Sequence, residues 1–405
     1  MPQLPRTHAA VALSGLIGGG RWRRLRHRLG GLRTAVLTII DSLEMPFLRF
    51  GAARRGTSIP SVAVFNLHGV GDLLLSLPCL AQIRERYPAE RYSLVLYCHP
   101  SAADLAARFA LVDQAVVIDR HRLLRSPRYR LTTLRAVAAK GHAVAIQPTY
   151  NRMLAVEDAL MRATAAGERI GSAGSPAFAG AMARRLGDRW YHRVVESSPG
   201  SMHELDRYAE FHQTLGWPAP PRRLPSLALP DKPAEIPGDY VLFIPDSSSE
   251  LKSWPIDRFE TLAHQLADLS TQTFVFAGAH GADAPASRFR QWRPDRFVDL
   301  SGQTSAIEFM HLIKGAKLVI TNDSAGLHLG VMLKRPVVAI AGGGLPDRYH
   351  PYPDWVGADL TIVETRLPCY GCNWNCIYDI RAGSPAPCIA AVEVARVREA
   401  ARGKL

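Results

Sequence analysis

The chain has 405 residues, of which 47% are hydrophobic and 21% are charged, with a formal net charge of +13. This length predicts two domains, and this composition excludes a largely disordered protein. No run of about 18 apolar residues is present, which argues against a membrane-spanning helix. The positive charge suits an anionic partner, but basic and aromatic residues are not interleaved, so nucleic acid is not expected.

The positive charge is concentrated at the N-terminus. Residues 1–55 contain ten arginines and two acidic residues, and they hold +8 of the total +13. Residues 20–50 are predicted to form an amphipathic helix. The apolar residues that recur every three or four positions there are Leu29, Leu32, Val36, Ile40, Leu43 and Phe47.

Two interpretations fit this segment equally well. Residues 20–55 either lie on an anionic inner-membrane surface, or they pack on the protein body with the arginines in solvent. The stretch from His8 to Gly20 is short and is not preceded by a basic region, so no cleaved signal peptide is expected. We therefore expect a cytoplasmic protein, peripheral on the inner membrane under the first interpretation.

From Ser61 onward, short apolar runs alternate with helical stretches. The first series has predicted strands at Val62–Leu67, Ser93–Cys98, Ala115–Asp119 and Ala143–Gln147, with a further helix near Asn151. A second series has predicted strands at Tyr240–Ile244, Thr273–Ala277, Leu318–Thr321 and Val337–Ala341. Seven prolines between residues 218 and 237 separate the two series and indicate a stiff linker.

Repeated βα units predict an α/β protein with two doubly wound parallel sheets that face a cleft. The predicted organisation is a basic extension (1–56), a first Rossmann-like domain (57–217), the linker (218–237) and a second Rossmann-like domain (238–405). Ligands bind at the carboxyl ends of the strands in such folds, so the turns after the strands are the candidate sites.

A glycine-rich turn from Asn66 to Asp72 directly follows the first predicted strand. Gly69 and Gly71 permit a tight turn and a close approach of a ligand to the backbone. Asp72 lies near the start of the next predicted helix, where its carboxylate either acts as a general base or caps the helix. The spacing alone favours the capping role.

The first strand of the second series leads into a polar turn that ends in Lys-Ser-Trp-Pro. Hydroxyls of Ser247 and Ser248, loop amides and the cation of Lys252 suit a diphosphate. A polar loop before a helix has a similar composition without any ligand, so this motif is weak when it is taken alone.

A third turn follows a later strand of the second series and opens a helix. The backbone amides of Ser324, Ala325 and Gly326 would lie at the positive end of that helix and could hold phosphate. Asp323 precedes them as a ligand-binding residue or an N-cap, and His328 follows as a ligand-binding residue or a hydrogen-bonded core histidine.

Taken in chain order, the three motifs resemble those of glycosyltransferase family 9, the heptosyltransferase family. The matching segments are Gly71–Pro78, Lys252–Pro255 and Asn322–His328, with further similarity at 299–305 and 342–352. The resemblance covers about residues 60–400. It implies a fold of the GT-B type and an inverting transfer without a catalytic metal, with the acceptor in the first domain and the nucleotide sugar in the second.

The resemblance also implies a role for each matched residue. Asp72 corresponds to the base that deprotonates the acceptor hydroxyl, and Lys252 corresponds to the lysine that neutralises the departing diphosphate. Asp323 corresponds to the residue that holds the hydroxyls of the donor sugar, and Asp283 to an acidic ribose ligand. The turn that binds the diphosphate corresponds to Ser324, Ala325, Gly326 and His328.

Four cysteines lie within residues 369–388, namely Cys369, Cys372, Cys376 and Cys388. Four thiolates at this spacing suit a structural zinc or iron ion, and the alternatives are reduced buried thiols or two disulfides. The segment resembles the metal finger of the family branch that transfers heptose to autotransporter proteins. No catalytic role is expected for it.

These observations predict an inverting glycosyltransferase that uses a nucleotide sugar, by family default ADP-heptose. The acceptor would be a glycan or a lipid-linked glycan of the cell envelope, such as lipopolysaccharide core. The alternatives are a protein (autotransporter) O-heptosyltransferase, a nucleotide-sugar epimerase, and a nucleotide-sugar-binding protein without catalysis. Pocket shape decides among sugars and acceptors, and a single sequence does not reveal it.

Overall fold

The computed structural model describes residues 34, 36–41, 59–106, 108–175, 180–227, 229, 236, 238–278 and 296–405. These residues form two six-stranded sheets in which all paired strands are parallel. The first sheet contains β1 (Ser61–Asn66), β2 (Ser93–Cys98), β3 (Gln114–Val117), β4 (Val144–Gln147), β5 (Glu168–Ser172) and β6 (Arg193–Val195). The second contains β7 (Tyr240–Ile244), β8 (Thr273–Phe276), β9 (Phe297–Asp299), β10 (Leu318–Asn322), β11 (Val337–Ala341) and β12 (Leu360–Glu364).

The two sheets have the same topology. The strand order is β3-β2-β1-β4-β5-β6 in the first sheet and β12-β11-β10-β7-β8-β9 in the second. In each sheet the order reverses beside the first strand, between β1 and β4 and between β7 and β10. A doubly wound sheet opens a crevice at this switch point, and the three sequence motifs follow β1, β7 and β10. The chain order therefore brings all three motifs to crevices.

Helices connect the strands on both faces of the sheets. The described helices are α1 (Val70–Arg86), α2 (Ala103–Ala106), α3 (Arg120–Arg125), α4 (Pro127–Ala139), α5 (Ala159–Thr164), α6 (Ala181–Asp188), α7 (Glu204–Thr214), α8 (Ile256–Ala267), α9 (Ala306–Gly315), α10 (Ala325–Met332), α11 (Pro387–Ala390) and α12 (Val394–Arg402). Local sequence explains two of the helix starts: Ser126 caps α4 with proline at its first position, and Ser305 and Glu308 form a capping box on α9.

One cluster of buried apolar side chains is continuous between the two halves. It includes Leu77 and Leu80 of α1, Phe211 of α7, and Leu327 and Val331 of α10. Helices α1 and α10 follow the switch-point strands β1 and β10, and they contact each other. The apolar contact between these two helices holds the carboxyl edges of the two sheets against each other.

The fold class predicted from the sequence is confirmed: the structure is α/β, of the GT-B type, with two Rossmann-like sheets. All eight predicted strands are present, with ends displaced by at most two residues. The prediction missed β5, β6, β9 and β12. The helix expected near Asn151 begins later, with a π-helical turn at Leu154–Asp158 that leads into α5.

The N-terminal extension is described only at residue 34 and residues 36–41, which are helical. Leu37 and Asp41 face the protein body, where Arg130 of α4 donates to Asp41 Oδ1 at 2.8 Å. In contrast, Val36 and Ile40 of the predicted apolar stripe are 46% and 40% exposed. The side of this helical turn that packs on the protein body is therefore the side with Leu37 and Asp41, not the side with Val36 and Ile40.

Residues 218–227, the described start of the proline-rich stretch, contain neither helix nor strand. None of the described helices is long and apolar enough to cross a membrane.

Candidate active site

The carboxylate of Asp72 faces the second half of the molecule. Helix α1 begins at Val70 with Gly69 as its N-cap, and no side chain caps it. The capping role that spacing favours for Asp72 is therefore wrong. Instead, Asp72 Oδ1 accepts a hydrogen bond from the hydroxyl of Tyr349 at 3.2 Å, across 277 residues of sequence.

The glycine-rich turn is fixed by hydrogen bonds from Asn66, and there is free space at Gly69. Asn66, at the end of β1, donates to Ser76 Oγ at 2.9 Å and to the carbonyl oxygen of Asp72 at 3.3 Å. A methyl group added at Gly69 would meet no atom within 4 Å. The amide end of α1 therefore has free space in front of it, which a ligand could occupy.

Lys252 is held on a short turn that is tied to the second sheet. The 3-10 turn Glu250–Lys252 is capped by Ser249, and Asn322 of β10 accepts from the backbone N–H of Trp254 at 3.0 Å. These contacts bring Lys252 Nζ to 3.1 Å from Asp323 Oδ2. The Lys-Ser-Trp-Pro turn and the turn after β10 thus lie side by side.

Asp323 is 7% exposed, and its charge is determined by its neighbours. Burial alone would raise the pKa of its carboxyl group, but Lys252, with His350 and His328, outweighs burial and holds the pKa below its ordinary value. Asp323 is therefore ionised at neutral pH and pairs with the ammonium group of Lys252.

The turn before α10 already uses one of its amides. Ser324 is the N-cap, and its hydroxyl accepts from the backbone N–H of Gly326 at 3.3 Å. Burial lowers the pKa of His328 to about 4, although Asp323 and Asp72 oppose this shift. His328 is therefore neutral at pH 7, with Nδ1 2.6 Å from the hydroxyl of Tyr352.

The two halves are joined by buried polar contacts beside Asp72. Arg348 Nε lies 2.5 Å from Glu204 Oε1 at the start of α7, and both side chains are buried. The backbone N–H of Glu204 donates to the carbonyl oxygen of Arg348 at 2.9 Å. The adjacent His203 contacts the carbonyl oxygen of Tyr349 at 3.2 Å. The backbone at Tyr349, whose hydroxyl contacts Asp72, is thus held by the N-terminus of α7.

A cavity of about 270 Å³ opens next to these contacts and is lined by both halves. The first half contributes Tyr150 and Arg207, whose guanidinium stacks 3.8 Å from the ring centroid of Tyr150. The second half contributes Arg348, Gly371 and Asn373. The cleft therefore has room for a ligand beside Arg348, although Asp72, Lys252 and Asp323 do not line this cavity.

Comparison with known proteins shows the family of this chain. A sequence model of "Glycosyltransferase family 9 (heptosyltransferase)" matches residues 150–372, more than half of the chain. The chain belongs to glycosyltransferase family 9.

Individual relatives match this family 9 chain either over a small part of their length or at low sequence identity. Lipopolysaccharide heptosyltransferase 2 of Escherichia coli K12 is 31% identical over 99 residues, 24% of this chain and only 28% of that protein. Lipopolysaccharide heptosyltransferase 1 of the same strain is 21% identical over 287 residues, 69% of this chain and 87% of that protein. The structure of an E. coli heptosyltransferase with ADP-2-deoxy-2-fluoro heptose superposes with a TM-score of 0.60 at 19% identity, covering 85% of this chain and all of that one.

Three further site residues predicted from the sequence of this family 9 protein are Ser247, Ser248 and Asp283. Ser247 bonds back to the carbonyl oxygen of Ser249 at 3.0 Å, and Ser248 is exposed. Asp283 lies outside the described residues. Tyr349, Glu204 and other residues at the joint between the halves were missed. The resemblance at 342–352 was the only sequence signal near Tyr349.

The four cysteines of the family 9 chain share one small cavity. Cys369, Cys372, Cys376 and Cys388 line a space of about 10 Å³, large enough for one small ion. All four are free thiols, so the disulfide alternative is wrong in this structure. Burial raises the pKa of Cys372; a hydrogen bond with the backbone of Trp374 opposes this shift, and the three neighbouring cysteines add to it. However, no group of three or more His, Cys, Asp or Glu side chains among the described residues is arranged to hold a metal.

Gly71 and His328 provide a test of the contact between the first and third motifs. A Cβ at Gly71 would lie 2.6 Å from His328 Cδ2. We expect Gly71→Ala to destabilise the protein by roughly 1–3 kcal/mol through overpacking, despite the better helix propensity of alanine. Gly69→Ala, with nothing within 4 Å, is the matched control. Chemical denaturation measures both, and equal stability of the two variants would contradict the contact.

Proposed function

We propose that this protein is an inverting glycosyltransferase that transfers heptose from ADP-heptose to an acceptor hydroxyl of the cell envelope, such as one in lipopolysaccharide core. Membership in family 9 supports the class of reaction. The names of the relatives support the donor, since they describe heptosyltransferases and, in one structure, an ADP-heptose analogue.

The observation that carries this proposal is the arrangement around Tyr349. The Tyr349 hydroxyl donates to Asp72, and Lys252 Nζ lies 5.8 Å from the centroid of the same ring. Lys252 in turn is paired with Asp323. A carboxylate from the first half and a lysine–aspartate pair from the second therefore approach the same tyrosine. This is the geometry that a transfer between an acceptor and a donor bound to opposite halves needs.

In the proposed reaction, Asp72 accepts the proton of the acceptor hydroxyl while the hydroxyl oxygen forms a bond to the anomeric carbon of the donor. The bond between that carbon and the diphosphate oxygen breaks in the same displacement, so the configuration inverts. Because Tyr349 donates to Asp72 in the present structure, the acceptor hydroxyl would take the place of this donor before the transfer.

Lys252 would neutralise the charge that develops on the departing ADP. Its partner Asp323 is ionised, so an incoming diphosphate competes with this carboxylate for the ammonium group. Displacement of Asp323 from Lys252 would free its oxygens for the hydroxyls of the donor sugar. The amides at the start of α10 face the same turn and would contribute further hydrogen bonds to the diphosphate.

Replacement of the proposed base tests this function. We expect Asp72→Asn to lower the turnover of ADP-heptose and a heptose-free lipopolysaccharide core by about 10²- to 10⁴-fold, the range for loss of general-base catalysis. The affinity for ADP, measured by calorimetry, should change little because Asp72 lies in the acceptor half. Asp104→Asn, an exposed aspartate at the start of α2, is the matched control and should keep full turnover.

Each alternative predicts a different result in these assays. An epimerase would convert the donor without any acceptor, and a binding protein would bind ADP without turnover. A protein O-heptosyltransferase would transfer to a polypeptide hydroxyl and not to the glycan. Full turnover by Asp72→Asn would remove Asp72 from the mechanism.

We propose in addition that the four cysteines hold a structural zinc or iron ion. Four sulfur ligands suit either ion, and the thiols already line one ion-sized cavity. Rotation of the cysteine side chains would be needed to bring the sulfurs into a tetrahedral set.

Elemental analysis tests the metal. We expect the purified protein to contain a stoichiometric amount of zinc or iron, and Cys372→Ser to lose it together with several degrees of melting temperature. Cys98→Ser, in a buried strand far from the cluster in sequence, is the control that should retain the metal. A metal-free wild-type protein whose stability is unaffected by Cys372→Ser would refute the site.

The N-terminal extension is proposed to lie on an anionic membrane surface. Its ten arginines and the exposed apolar side chains of Val36, Ile39 and Ile40 support this role. The acceptor of the proposed reaction is itself lipid-linked, so such contact would bring the enzyme to its substrate.

Vesicle sedimentation tests the membrane contact. We expect binding to phosphatidylglycerol vesicles that weakens as salt increases, and little binding to phosphatidylcholine vesicles. Replacement of Val36, Ile39 and Ile40 by serine should reduce binding. Met182→Ser, which removes an 83% exposed apolar side chain elsewhere, should not. Equal binding to both vesicle types would rule out the electrostatic contact.

A further inference from the structure

The segment that carries the four cysteines is attached to the turn that carries Lys252. The backbone N–H of Ala386 donates to the carbonyl oxygen of Leu251 at 3.0 Å. The backbone N–H of Gly383 donates to Glu250 Oε2 at 3.0 Å. Both acceptors lie within two residues of Lys252. Residues 369–388 are therefore part of the support of this turn.

The same segment is attached to the glycine-rich loop after β11. The backbone N–H groups of Gly371 and Asn373 donate to the carbonyl oxygens of Gly343 and Gly344, each at 2.7 Å. The indole of Trp374 lies directly on this loop, because a Cβ at Gly344 would be 2.3 Å from its ring. Only glycine permits this approach, so the position of the ring is tightly restricted.

The backbone of Trp374 is held in an uncommon conformation. Asn373 and Trp374 have φ angles of 51° and 58°, in the left-handed region that side chains other than glycine rarely adopt. Two such residues in succession persist only where surrounding contacts enforce them, and they cluster at functional sites. The result of this conformation is an indole that faces Lys252.

Lys252 lies close to two aromatic rings. Its Nζ atom is 5.2 Å from the ring centroid of Trp374 and 5.8 Å from that of Tyr349. Both distances are within the range of a cation–π interaction, and tryptophan is the strongest partner for it. Asp323 is the anionic contact of the same ammonium group. The four-cysteine segment thus supplies one of the groups that hold the lysine.

We propose that Trp374 is a positioning residue for Lys252, so that the four-cysteine segment serves the transfer step as well as stability. This inference rests on the proposed function, in which Lys252 neutralises the departing diphosphate. A neutral aromatic face can hold an ammonium group without repelling an incoming anion, whereas a second carboxylate would repel it. Trp374 can therefore keep Lys252 in place after the diphosphate displaces Asp323.

A double-mutant cycle tests the inference, with ADP affinity measured by calorimetry on the full-length protein. We expect Trp374→Leu to weaken ADP binding by about 3- to 30-fold, the range for a cation–π contact. Trp374→Phe, which keeps an aromatic face, should recover part of this loss. In a Lys252→Ala background, Trp374→Leu should have no further effect, because the lysine through which it acts is gone.

The cycle separates a positioning role from a structural one. If Trp374→Leu weakens ADP binding equally with and without Lys252, the indole acts on the fold and the inference is overturned. Ile377→Ala, which changes a 66% exposed residue of the same segment, is the control and should bind ADP as the wild type does. Failure of the wild-type protein to bind ADP would refute the proposed function and, with it, this inference.

Discussion

The contact on which the rest of the site depends is the hydrogen bond between Tyr349 and Asp72. It links a loop of the second sheet to the first turn of α1, and the buried pair of Arg348 with Glu204 supports it. Both side chains are almost fully buried, so separating the halves at this point would leave each charge without its partner. The position of Asp72 relative to Lys252 is therefore set by the joint between the halves.

The sequence predicted the fold because the central strands are apolar runs followed by turns and amphipathic helices. Three of the four missed strands, β6, β9 and β12, lie at sheet edges, where burial is partial and the apolar run is short. The fourth, β5, begins with Glu168 and Arg169. Edge strands bury little apolar surface, so the periodicity of apolar residues does not distinguish these strands from loops.

The site was predictable only where its residues are arranged in local motifs. Lys252 and Asp323 were selected because each lies in a turn after a strand and the motifs, taken in chain order, resemble those of the family. Glu204 has no such signal, since an acidic residue in the first turn of a helix is ordinary and its partner Arg348 is 144 residues away. The aromatic contact of Trp374 with Lys252 was missed for the same reason, because only the tertiary structure brings these residues together.

The close packing of Gly71 on His328 has a consequence for how such proteins diverge. The first belongs to the half with the proposed base and the second to the half with the proposed nucleotide turn, and the space available to one is set by the other. Substitutions at the two positions cannot accumulate independently. A hybrid that joins the acceptor half of one homologue to the donor half of another would need both residues from the same parent.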